Sequence, residues 1–134
     1  MNVPSEHLQS EYDALDRQIA ALEESVGSAV PDLKPVLAHG VHIAAELLRS
    51  FALAHAKPMP VGEDLLELFK AFVKGEPSLN TVRDNVRELV YYQNCLAMDR
   101  SDALPAKPER MVAHTVRHIY LYLRSRAEQE GLIG

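Results

Sequence analysis

The chain has 134 residues, 47% of them hydrophobic and 25% charged, with 19 acidic and 14 basic side chains and a formal net charge of -5. That is the length of one domain, with enough apolar residues for a core, and the single cysteine, Cys95, leaves no partner for an internal disulfide or a CxxC-type metal or redox site. The longest hydrophobic run, Ile119 to Leu123, is far short of the ~20 residues that cross a bilayer, and a pI near 5.6 argues against nucleic-acid binding by the molecule as a whole.

The elements read as five helices in an all-α bundle, four long and one short, with no period-two alternation. From Ser5 to Val26, the residues Leu8, Tyr12, Leu15, Ile19, Leu22 and Val26 recur at alternating intervals of four and three, a heptad seam with Gly27 as its expected C-terminal cap. Such a narrow seam predicts a helix that lies across the bundle or against a second copy, and the six residues are the expected interaction face. A second helix is predicted from Leu33 to Ala56, with Pro35 tolerated in its first turn and Lys57-Pro58-Met59-Pro60 stopping it. Val36, Leu37, Val41, Ile43, Ala44, Leu47, Leu48 and Phe51 share one broad face, which marks it as the central helix.

A short helix is predicted from Glu63 to Lys74, ended by Gly75. A fourth follows from Leu79 to Asp99, capped by Ser78 or Asn80, and it carries Gln93 on its apolar face. That placement predicts a buried, hydrogen-bonded Gln93 or one that meets a partner. The last helix starts at Pro108 and ends before Gly131. Its core stripe is Val112, Val116, Ile119 and Leu123. Arg110, His114, Arg117 and Arg124 lie opposite as a basic stripe that could meet phosphates or a partner.

Two patterns have the spacing of metal ligands on a helix: His39-x-x-His42-x-x-x-Glu46 and His114-x-x-x-His118. Angular placement puts His39, His42, Glu46 and His114 on polar sides, which favours solvated histidines. A divalent metal held between faces or across a dimer is the alternative, and no other cofactor is expected. Cys95 reads as an inert packed thiol, and Tyr91, Tyr92 and Tyr122 as core-edge packing and not base-stacking platforms. The six glycines form no phosphate-binding loop.

The stretch His42-Ile43-Ala44-Ala45-Glu46-Leu47-Leu48-Arg49-Ser50-Phe51, a proline-bearing loop and Glu63-Asp64-Leu65-Leu66-Glu67-Leu68 resemble the paired helices of HEPN-type domains. Tyr91-Tyr92, an acidic loop and a long closing helix extend the resemblance over residues 36 to 126. It implies a helical, often dimeric module of toxin and antitoxin systems or a nucleic-acid-associated adaptor. Catalytic members are ribonucleases with an arginine and a histidine four to six residues apart. Here three residues separate Arg110 from His114 and seven separate it from His118, so the catalytic motif is not matched.

These residues predict a single helical domain that acts by binding: self-association, with a homodimer expected, and a protein partner. Nucleic acid is less favoured and no membrane is expected. The N-terminal Met1-Asn2-Val3-Pro4-Ser5-Glu6 has no basic segment leading into an apolar block, so a cytoplasmic location is expected. A HEPN-like ribonuclease and a divalent-metal-binding bundle are the competing expectations. The charge is polarised: residues 1 to 30 hold six acids and one base, while 31 to 134 hold 13 of each. That polarity predicts the acidic first helix covering the basic face of the last, in the same chain or in a second copy.

Overall fold

The computed structural model describes residues 4–28 and 30–133, with side chains from residue 7 onward. Five α-helices follow in order, α1 (Pro4–Val26), α2 (Leu33–Ala54), α3 (Leu65–Val73), α4 (Arg83–Ala97) and α5 (Pro108–Gln129), and the described residues contain no strand. Short 3₁₀ turns occupy Pro77–Val82 and Ser101–Ala103.

The helix ends follow capping chemistry. The Asp32 carboxylate accepts from the Lys34 amide at 3.3 Å to open α2, and Asp64 accepts from the Leu66 and Glu67 amides at 3.1 and 3.2 Å to open α3. Three helices close with paired bonds around a left-handed residue. At α5 that residue is Gly131 (φ +74°), with Leu132 N–H donating to Ala127 O at 2.8 Å and Gly131 N–H to Glu128 O at 3.1 Å. At α2 and α4 the same position is filled by Ala56 (φ +58°) and Asp99 (φ +54°), so these helices stop at Ala54 and Ala97, each two residues short of the predicted end.

Two capping expectations are corrected. Gly27 is not in the left-handed region; its amide closes an ordinary turn onto Glu24 O at 3.1 Å. Neither Ser78 nor Asn80 caps α4 with its side chain, because the chain winds as a 3₁₀ turn through both and becomes α-helical only at Arg83.

α2 is the hub. It packs against every other helix, with α1 and α5 also in mutual contact, α3 and α4 against each other, and α4 reaching α5. Its most apolar 18-residue window has a mean hydropathy of 1.2, enough by length and composition for a membrane span, and 61% of that window is buried inside the fold. The bundle therefore accounts for its apolarity. The close approach to α5 is set by Gly40, where a Cβ would come within 2.5 Å of Val112 Cγ1. One core draws buried residues from all five helices. Each fully buried aliphatic or aromatic side chain contributes about 1.5–3 kcal/mol of transfer free energy before conformational entropy is subtracted.

Gln93 is exposed, which corrects the first of its two expected placements, a buried and hydrogen-bonded side chain. The inward stripe of α4 runs through Val86, Leu89, Tyr92 and Cys95, one step every three residues, which rotates Gln93 past its edge.

Candidate functional site

The heptad seam is consumed inside the chain. Leu8, Tyr12, Leu15, Ile19, Leu22 and Val26 are all buried, Tyr12 and Ile19 completely, in the core shared with α2 and α5. Of the two placements expected for the seam, across the bundle or against a second copy, the chain shows the first, so these six residues are not left as a face for another molecule; a narrow stripe suffices because α1 packs on both α2 and α5. The Tyr12 hydroxyl reaches Leu47 O at 3.4 Å, and burial, with Tyr120 second, pushes its phenol well above the usual tyrosine range.

The basic stripe is largely spent as well. Arg117 donates Nη1 to Asp16 Oδ1 at 2.5 Å and grips both Glu23 oxygens from Nε and Nη2 at 3.1 and 2.9 Å. Arg124 donates Nη1 to the Tyr120 hydroxyl at 2.7 Å and to Asp13 at 3.3 Å, and Nε to Glu128 at 3.2 Å. Both guanidinium groups lie over the Tyr120 ring, at 5.2 and 6.0 Å. These bonds hold both arginines above their ordinary range, Glu23 being the largest cause for Arg117 and Tyr120 for Arg124. The acidic first helix thus covers the basic last helix within one chain. A phosphate at Arg117 or Arg124 would have to compete with the carboxylates already in place. Arg110, His114 and His118 are exposed.

The tyrosines are tied to backbone or to neighbours. Tyr91 donates to Ala103 O at 2.8 Å, Tyr92 to Glu88 at 2.6 Å and Tyr122 to Ser78 O at 3.2 Å. Cys95 is buried.

The predicted metal ligands are divided. His42 and Glu46 come together, joined by Glu63 from the α2–α3 connection, with one donor atom of each within 4.8 Å of the others. Among the described residues, no such group of three includes His39, His114 or His118, which corrects that ligand set. His39 instead lines a groove beside Asp32 and Pro35, and the His114–His118 pair faces solvent on α5. Within the triad, His42 Nδ1 lies 2.5 Å from Glu63 Oε2, and Arg49 Nη1 donates to Glu46 Oε1 at 2.6 Å and Nη2 to Gly62 O at 2.5 Å.

A second cluster, His55, Glu76 and Glu130, joins elements far apart in sequence. It is a staple. Lys57 Nζ donates to Phe72 O at 2.7 Å and meets Glu76 Oε1 at 2.9 Å, and Arg126 spans Glu76 Oε2 at 3.5 Å and Glu130 Oε1 at 2.8 Å. His55 Nδ1 faces Phe51 O at 2.8 Å and Nε2 faces Glu130 Oε2 at 2.5 Å. Two cations stand where a metal would have to sit, and the Lys57 bond, ahead of the other charges, lowers the Glu76 carboxyl below its ordinary range. No spacing rule reveals this cluster, because His55 and Glu130 are 75 residues apart.

The connection between α2 and α3 forms a ridge with a groove on each flank. One, of about 430 Å³, is lined by Arg49 and Leu53 of α2 together with Met59, Pro60, Val61, Gly62 and Glu63. The other, of about 380 Å³, lies against α3 and is lined by Lys57, Pro58, Pro60, Glu67, Lys70, Ala71 and Lys74. On the ridge Val61 is 95% exposed, and beside it Leu53 is 56% exposed. Sequence periodicity missed this surface because it is made by a loop.

No family model matches the chain, and no curated protein or solved structure matches it either.

Proposed function

We propose that the protein is a non-catalytic helical interaction module that works as a homodimer, joined through the ridge between α2 and α3. The observation that carries this reading is the near-complete exposure of Val61 at the crest of a ridge with two grooves. Val61 shares its groove with half-exposed Leu53 and partly buried Met59, and these three supply the apolar part of the proposed interface.

Charge complementarity argues for a second copy as the occupant. The α2 flank is lined by Glu63 and Arg49, a formal sum of 0, and the α3 flank by Lys57, Lys70, Lys74 and Glu67, a formal sum of +2. A two-fold axis running along the ridge sets the α2 flank of one copy against the α3 flank of the other, which brings Glu63 of each copy to the lysines of its partner. Sedimentation velocity over a dilution series tests the reading. Wild-type protein is expected to associate as it is concentrated, and Val61→Asp to stay monomeric with unchanged helical circular dichroism. A wild-type monomer throughout, or a Val61→Asp dimer of undiminished affinity, overturns it.

A further inference from the structure

We propose that His42, Glu46 and Glu63 form a binding site for one zinc-like divalent cation within a single chain. The site does not depend on self-association. One imidazole nitrogen and two carboxylates, on two different elements, offer donor atoms that all lie within 4.8 Å of one another. Ligands of a tetrahedral ion at ~2.1 Å sit roughly 3.4 Å apart, between the 2.5 Å of the His42–Glu63 contact and the 4.8 Å within which all three donors fall. The mixed nitrogen and oxygen set suits zinc or cobalt and not magnesium, which demands six oxygen ligands in near-ideal geometry.

The donors are presented by geometry that the fold supplies. His42 and Glu46 are four residues apart on α2 and so lie one above the other on its surface. Glu63 arrives from the connection just before Asp64 caps α3, and the Gly62 carbonyl is held by Arg49 from the same face of α2. What the cation replaces is weak. The His42–Glu63 pair is 47% and 44% exposed, and surface pairs of that kind contribute little to stability. Glu46 keeps its second oxygen for the ion while Oε1 holds Arg49. At His55, Glu76 and Glu130 two cations are already bonded to the carboxylates, Arg126 bridging both and Lys57 on Glu76, whereas in the proposed site one cation, Arg49, is bonded to Glu46 alone. A bound cation would pin the crest of the connection to α2 at its Glu63 end.

The test uses full-length, tag-free protein stripped with chelator, then titrated with zinc chloride by calorimetry and by equilibrium dialysis, with millimolar magnesium as competitor. One zinc per chain is expected, unaffected by magnesium, with at least tenfold weaker binding in His42→Ala and in Glu63→Gln. Both positions are exposed, and circular dichroism checks that each variant is folded. A His114→Ala, His118→Ala double variant is expected to bind zinc as wild type does. Zinc is also expected to raise the thermal midpoint of wild type and not of His42→Ala. Wild-type uptake no stronger than that of His42→Ala, half an ion per chain, or loss of binding in the double variant overturns the assignment.

Discussion

Gly40 shows how a single side chain sets the spacing of the bundle. A methyl group there would lie 2.5 Å from Val112 Cγ1 and 3.4 Å from Val116 Cγ2, and a β-branched valine on a helix has almost no rotamer freedom with which to retreat. Gly40→Ala is therefore expected to cost about 1–3 kcal/mol, the range of overpacked cores, despite the better helix propensity of alanine. Urea unfolding gives the value. Combining it with Val112→Ala should recover part of the loss, since the second change removes the obstructing methyl groups. Gly40 drew no notice in the sequence because a glycine within a helical run carries no sign of what lies across from it.

At the scale of elements, charged side chains join what the core brings together. Asp13, Asp16 and Glu23 of α1 meet Arg117 and Arg124 of α5, and Glu76 links Lys57, just past α2, to Arg126 near the end of α5. The Glu76 contribution carries a definite sign. Its carboxyl is held below the ordinary value of 4.5, chiefly by the Lys57 hydrogen bond, so the folded state releases this proton more readily than the unfolded chain. The resulting stabilisation is complete above pH 4.5 and is lost as the pH falls from there through the folded value. Glu76→Gln is expected to lower stability at neutral pH and to flatten the decline below pH 4.5, measured by thermal unfolding across pH 2.5 to 7. A variant with an acid limb as steep as that of wild type would show that other carboxylates govern it.

The five helices and their order are legible in spacing and punctuation, because a buried stripe must recur with the helical period and a break needs proline, glycine or a capping residue. The seam from Leu8 to Val26 announces a buried contact but not whose surface buries it. Charge points to the partner, since six acids against one base in residues 1 to 30 match the arginines of α5, but not to whose arginines they are; the structure closes the pairing within the chain. The candidate sites were half legible. His42 and Glu46 share a helix face, whereas Glu63 joins them only through the path of a loop that no periodicity describes.

At the scale of the whole molecule, with α1 buried and the α5 arginines paired, the proposed contact is the ridge around Val61, the most exposed of several large hydrophobic side chains that include Val30, Met98 and Leu121. The account rests on the two flanks of that ridge facing each other across a two-fold axis. Sedimentation equilibrium on Glu63→Lys, Lys70→Glu and the double variant tests this arrangement most directly. Each single reversal sets like charges together and is expected to weaken the dimer roughly three- to fivefold, the scale of an exposed ion pair, and the double reversal to restore it. A wild-type monomer, single variants that associate like wild type, or a double variant weaker than either single would contradict the account.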